Sequence, residues 1–273
     1  MPKKNVARPV FPSPANGKRR ADELVFRQGL AESREQAQRL IMAGKVFLAP
    51  TEEETAGGHP LVPVDKPGRQ FRPDTSFLLN GVERFVSRGA YKLLTAIEHF
   101  GLNVSGFVCL DAGASTGGFT DCLLQAGASR VAALDVNYGQ LAWKIRQDPR
   151  VAVFERTNIK DADPAELGAP FDLIVIDVSF IGLAALAPLF PRFSRPGTIF
   201  IGLVKPQFES AHDETDRGVV RDEAVRLRTV EEVKAALAAA GFDATGVATS
   251  PITGPEGNVE YLVRAVYRND LDS

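Results

Sequence analysis

From Gly81 onward, short apolar runs alternate with longer stretches whose apolar residues recur every three or four positions. The runs Phe107–Leu110, Val131–Val136, Val151–Phe154, Leu173–Val178, Thr198–Val204, Thr245–Thr249 and Tyr261–Tyr267 have the length and branched content of buried strands. Between them, Gly117–Ala126, Gln140–Gln147, Leu183–Leu189 and Glu223–Ala240 carry helical spacing, and Ala90–Phe100 places Leu93, Ile97 and Phe100 on one stripe. Seven strands with interleaved helices predict an α/β fold, a doubly wound sheet. Such sheets bind ligands at the carboxyl ends of their strands, around the switch point.

The pattern before Gly81 differs. A helix over Asp22–Gln28 stops at Gly29. A second opens on Ser33-Arg34-Glu35-Gln36, a capping box, and runs to Ala43 before Gly44. Its apolar stripe is Ala37, Leu40 and Ile41, with Arg34 and Gln38 on another face and Arg39 and Lys45 near its end. This small helical pair can offer cations to a phosphate backbone, although exposed arginines also simply solvate a helix.

Charge sharpens this division. The net charge is −2 over 273 residues, but residues 1–20 hold six basic side chains, four prolines and no acid. That composition predicts a basic leader without fixed structure. Removing those six cations leaves 26 basic against 34 acidic residues, so nucleic acid can bind the rest only at a local patch. The two cysteines, Cys109 and Cys122, are far from any histidine cluster, which argues against zinc and disulfides. The amino terminus lacks an uninterrupted apolar run, so no secretory signal is expected, and the longest uncharged stretch, from Val178 to Arg192, holds two prolines and is too short for a membrane helix. The expectation is a cytoplasmic protein with no metal and no stable membrane insertion.

The strongest chemical signal is the segment Asp111-Ala-Gly113-Ala-Ser115-Thr116-Gly117-Gly118-Phe119, an apolar strand passing through a glycine turn into a helix. Glycines admit a ligand close to the backbone, and the first helical turn presents unpaired N–H groups. The spacing is neither that of a dinucleotide fingerprint nor that of a P-loop. S-adenosylmethionine, which has no pyrophosphate, fits better.

Polar residues that end apolar strands are the next candidates. Asp135 lies 22 positions after Gly113, about the offset at which an acid reaches a ribose hydroxyl. Asn158 is placed to meet an adenine edge or to cap a turn, and Tyr138 to stack on adenine or pack. Asp177 and Lys205 each end an almost wholly apolar strand, as a salt bridge or as a reactive pair. Lys92 sits at the margin of the Ala90–Phe100 stripe and Glu260 opens the last strand; by position alone each reads as facing water.

Two groups of motifs resemble known families. Arg20-Ala-Asp-Glu-Leu, Gly29-Leu-Ala-Glu-Ser-Arg-Glu-Gln-Ala and Leu40-Ile-Met-Ala-Gly-Lys-Val46 resemble the S4 RNA-binding domain, apart from an acidic, glycine-containing insert over Pro50–Pro60. Together with Ser87-Arg-Gly-Ala-Tyr-Lys92-Leu, the glycine turn, Asp135-Val-Asn-Tyr-Gly-Gln-Leu-Ala-Trp143, Asp177-Val-Ser-Phe-Ile181, Leu203-Val-Lys205-Pro-Gln-Phe-Glu209 and Gly257-Asn-Val-Glu260-Tyr, the chain after residue 20 resembles the TlyA family. That resemblance implies a Rossmann-like, FtsJ-like methyltransferase domain preceded by a small α+β S4-like domain. The boundaries would be a leader to 20, the S4-like part over 21–80, a linker over 81–86 and the methyltransferase part over 87–270. It implies 2′-O-methylation of cytidine in ribosomal RNA, with S-adenosylmethionine as cofactor and ribosomal subunits as partners. A Lys92, Asp177, Lys205, Glu260 tetrad would be catalytic. The cofactor would meet Asp111, Gly113, Ser115, Thr116, Gly117, Gly118, Phe119, Asp135 and Asn158, and RNA would meet Arg20, Arg34, Arg39, Lys45 and Arg88. The alternatives are a membrane-active haemolysin, to which the family also owes a name, a non-catalytic RNA-binding assembly factor and a small-molecule methyltransferase. Ser210–Arg217 is acidic where the family is Gly- and Lys-rich.

Overall fold

The structure is a computed structural model that describes residues 17–31, 33–50, 61–81, 84–254 and 256–268. Most of the leader and the insert at 51–60 lie outside the described residues. The chain divides into two compact units, residues 1–83 and 84–273.

In the first unit, β1 (Arg19–Arg20) leads into α1 (Ala21–Arg27) and α2 (Arg34–Met42), followed by β2 (Val46–Leu48), β3 (Gln70–Phe71) and β4 (Phe77–Leu79). β1 pairs with β3 and β2 with β4, both antiparallel. The helices meet over Leu24, Val25, Ala37 and Ile41, closed by Val46, Val64 and Phe77. Ser33 Oγ accepts the Gln36 amide at 3.1 Å, as its place before the helix predicts. The leader expected to be unstructured to residue 20 instead ends in a strand, because Arg19 and Arg20 find backbone partners in Phe71 and Gln70.

The second unit is a seven-stranded sheet. Its elements are α3 (Ala90–His99), β5 (Val108–Ala112), α4 (Gly118–Gln125), β6 (Arg130–Asp135), α5 (Trp143–Arg146), β7 (Val151–Glu155), α6 (Pro164–Leu167), β8 (Leu173–Ile176), α7 (Leu183–Leu186), β9 (Ile199–Val204), α8 (Pro206–Glu209), α9 (Glu223–Ala239), β10 (Phe242–Thr249) and β11 (Tyr261–Tyr267). The strand order is β10-β11-β9-β8-β5-β6-β7. β9 through β7 run parallel, whereas β11 is antiparallel to both its neighbours. Side chains alternate across the sheet: Leu110, Ile174, Phe200 and Val263 enter one core, and Cys109, Val175, Ile201 and Leu262 the other. Both faces are covered, so the strands are apolar throughout.

Two predicted helices are shorter than their apolar spacing suggests. Gln140–Gln147 reduces to Trp143–Arg146. Leu183–Leu189 becomes α7 followed by a 3₁₀ segment over Ala187–Phe193, since Pro188 and Pro191 bring no N–H to an α-helical ladder. The predicted strand Leu173–Val178 ends at Ile176, which leaves Asp177 just past it.

Candidate active site

The carboxyl ends of β5, β6, β8 and β9 form one rim, and each delivers a polar group to it. At β5 the chain turns through Gly113, which has φ of +87°; a Cβ there would lie 2.5 Å from the carbonyl oxygen of Asp177. Only glycine lets the turn and the end of β8 lie against each other in this way. Gly117 caps α4 in a left-handed conformation and packs toward Leu141 and Ile145.

Lys205 Nζ, just beyond β9, donates to Asp177 Oδ1 at 2.6 Å and to Ser179 Oγ at 3.1 Å. Lys92 Nζ, on the first turn of α3, donates to Glu260 Oε2 at 2.6 Å and lies 3.7 Å from Asp177 Oδ2. The four residues dispersed over 168 positions therefore form one chain of contacts, Glu260–Lys92–Asp177–Lys205. Lys92, Lys205 and Glu260 are buried at 7%, 8% and 1% exposure, which corrects the water-facing positions that Lys92 and Glu260 suggest by pattern. Two ammonium and two carboxylate groups balance, as buried charges require. The antiparallel insertion of β11 explains Glu260: its neighbour Tyr261 lies opposite Val204, so the start of β11 meets the end of β9.

Two clefts share this rim. One, of 280 Å³, is lined by the tetrad together with Ser87, Gly89, Gly113–Thr116, Gly118, Phe119 and Ser179. The other, of 470 Å³, is lined by Gly113, Ser115, Asp135, Asn158, Lys160, Asp177 and Ser179 among others, and its volume falls within the range of small-molecule sites. Asp135 Oδ2 accepts the Ser115 amide at 2.7 Å and Oδ1 accepts the Asn137 amide at 2.8 Å, so the acid also shapes the glycine turn. Asn158 Oδ1 accepts the Lys160 amide at 3.1 Å while its side chain lines the larger cleft; the turn cap and the cleft position coexist. Tyr138 does not line that cleft, and Arg156 lies over its ring at 4.5 Å.

Asp111 and Gly117 line neither cleft. Asp111 is fully buried beneath the turn, where Oδ2 accepts from Thr120 Oγ1 at 2.6 Å and Oδ1 has no partner. Burial, reinforced by the nearby Asp177 and Asp135 carboxylates and opposed by the Thr120 hydrogen bond, pushes its carboxyl up to about 7. Ser179, which touches Lys205 and borders both clefts, is absent from the predicted set; its only sequence signal is its place two residues after Asp177.

The sequence profile of FtsJ-like methyltransferases matches residues 85–267, and that of S4 domains matches residues 19–49. A protein of Mycobacterium tuberculosis named 16S/23S rRNA (cytidine-2′-O)-methyltransferase TlyA is 45% identical over 89% of this chain and 88% of its own length. The chain belongs to the TlyA family.

Hemolysin A of Brachyspira hyodysenteriae, 36% identical over 90% of this TlyA-family chain and 99% of its own, is a further relative. A solved hemolysin candidate from Streptococcus thermophilus superimposes with a TM-score of 0.67 at 39% identity, covering 92% and 89% of the two chains. The second unit of this TlyA-family protein is thus a methyltransferase domain, and residues 19–49 form an S4 domain.

In the S4 unit the predicted cations Arg20 and Arg34 converge on Asp22, which is fully buried. Arg20 donates through Nε and NH2 at 3.0 and 2.8 Å, Gln38 at 2.7 Å, and Arg34 Nε lies 3.3 Å away. Burial raises the Asp22 carboxyl, but bonds from Arg20, Gln38 and Arg34 outweigh it and hold it at about 2. Arg39 is exposed, and Lys45 is half-buried near Gly81. Arg88 is exposed in the methyltransferase unit, between Ser87 and Gly89 of the tetrad cleft. In the acidic loop after α8, Glu214 pairs with Arg228 at 2.6 Å and Asp216 with Arg221 at 2.9 Å, which offsets part of its charge. Among the described residues no group of three or more His, Cys, Asp or Glu is placed to hold a metal ion, and no helix is long and apolar enough to cross a membrane.

Proposed function

We propose that this protein transfers a methyl group from S-adenosylmethionine to the ribose 2′-hydroxyl of a cytidine in ribosomal RNA, on ribosomal subunits in the cytoplasm. The observation that carries this reading is the meeting of Lys92, Asp177, Lys205 and Glu260 in one cleft that adjoins a second, ligand-sized cleft along the glycine turn.

The residues of the larger cleft suit S-adenosylmethionine: Asp135 for ribose hydroxyls, Asn158 for the adenine edge, and the backbone of Gly113 and Ser115 for close contact at a turn where a Cβ would clash. Thr116, Gly118 and Phe119 extend this wall, while Asp111 and Gly117 act from beneath by fixing the turn. When bound, the cofactor supplies an electrophilic methyl on a sulfonium.

The chain's own residues then position the acceptor. Lys205, with two hydrogen bonds committed to Asp177 and Ser179, directs its remaining N–H toward the 2′-oxygen. The Asp177 carboxylate, which lines both clefts, accepts the hydroxyl proton as the methyl–oxygen bond forms and the methyl–sulfur bond breaks. Lys92, anchored by Glu260, holds Asp177 from its other oxygen. Fixing the acceptor in line removes much of the entropic barrier, and proton transfer to a positioned carboxylate adds general-base help. Arg20, Arg34, Arg39 and Lys45 provide phosphate contacts from the S4 domain, and Arg88 at the mouth of the tetrad cleft.

Mapping 2′-O-methyl groups on ribosomal RNA from cells with and without the gene tests the assignment. One or more cytidines lose the mark when the gene is deleted; identical maps would refute it. The likeness to Hemolysin A keeps a membrane-active reading in play, and purified protein that releases dye from liposomes would favour that reading.

A further inference from the structure

The segment Lys205–Glu209 grips the loop Asp177–Gly182 at three points. At one end Lys205 holds Asp177 and Ser179. In the middle the Phe208 ring lies 5.6 Å from that of Phe180. At the far end the Glu209 carboxylate accepts the backbone N–H of Leu183 at 2.5 Å and that of Ala184 at 3.4 Å. These are the first amides of α7, which have no partner within the helix.

The fit at this last point is close. A Cβ on Gly182 would lie 2.6 Å from Glu209 Oε2 and 2.9 Å from the Phe208 carbonyl oxygen. The loop also stores strain, since Phe180 adopts φ of +70° with its side chain 92% exposed. A bulky residue in that conformation persists only when its surroundings hold it there. Phe208 meets the exposed ring on one side, and the two anchored ends supply the rest of that hold.

We propose that Glu209 is a positioning residue for methyl transfer: by latching the amides of Leu183 and Ala184 it fixes the far end of the Asp177–Gly182 loop, and through it the placement of Asp177 and Ser179 around Lys205. The proposal rests on the function assigned above, deepens it, and concerns a residue that lines neither cleft. Glu209 is also under load. Burial, with the Glu232 carboxylate of α9 nearby, shifts its carboxyl upward from its ordinary range, and the two amides work against that shift. Arg228, which pairs with Glu232 at 3.1 Å, offsets the neighbouring charge.

Glu209→Gln keeps the reach and one accepting oxygen, whereas Glu209→Asp keeps the charge but not the reach. With the full-length enzyme and ribosomal RNA as acceptor, the glutamine variant retains most of kcat. The aspartate variant loses about 10- to 100-fold, the scale set by misplacing a reacting group by about 1 Å, while RNA affinity stays at the wild-type value. Wild-type kcat in the aspartate variant, or a glutamine variant as impaired as the aspartate one, would overturn the latch. Amide hydrogen exchange at Leu183 and Ala184 reads the latch independently of the reaction. Exchange there accelerates in the aspartate variant and stays slow in the glutamine one; unchanged exchange in both overturns the proposal. A wild-type enzyme that leaves ribosomal RNA unmethylated would instead refute the assigned function, with the exchange result still judging Glu209.

Discussion

Asp111 shows how a single residue can pull against the fold for the sake of a site. Its carboxyl sits at about 7, so between the ordinary carboxylate value near 4 and about 7 the folded state keeps a proton that the unfolded chain has released. Stability then falls as pH rises through that window and levels off above it. A shift of this size corresponds to about 2–4 kcal/mol. The urea midpoint of the wild type should fall from pH 4.5 to 7.5, and Asp111→Asn, which can still accept from Thr120, should remove most of the slope. Parallel pH profiles for the two proteins would show that Asp111 is not the source. None of this is legible in the sequence, where Asp111 reads as the acid of a ligand motif. The sequence also misplaces Lys92 and Glu260, because the partners that let them be buried lie 168 positions apart.

Among the elements, strands were the most legible. Parallel strands covered on both faces must be apolar along their whole length, so Leu173–Ile176 and Ile199–Val204 stand out from their surroundings. Four-residue helices such as Pro164–Leu167 and Pro206–Glu209 are too short to show a period and were missed. The orientation of β11 was equally hidden, and with it the reason Glu260 reaches Lys205's end of the sheet. In the S4 unit, the α1–α2 pair depends on Asp22 holding cations from both sides. Its lowered carboxyl contributes stability that is full above about pH 4 and is lost as pH falls toward about 2. Asp22→Ala should cost this unit about 1–2 kcal/mol at pH 7, discounted because Arg20 and Arg34 are partly exposed. It should also weaken RNA binding by releasing both guanidinium groups from fixed positions. Chemical denaturation and a filter-binding titration check the two effects; unchanged values in both would mean that the Asp22 cluster organises nothing.

At the scale of the whole molecule, two units carry different physics. The S4 unit offers arginines ordered by a buried acid, and the methyltransferase unit offers a charge-balanced tetrad beside a ligand-sized cleft. The assigned function requires the tetrad to perform the transfer and to do more than knit the strand ends together. Lys205→Ala separates these roles when S-adenosylmethionine binding and methyl incorporation into ribosomal RNA are measured on the same preparation. Cofactor affinity should stay within about threefold of wild type, below half a decade on the binding scale, while methyl incorporation is lost. Incorporation that survives the substitution, or that falls only in step with cofactor affinity, would contradict that requirement.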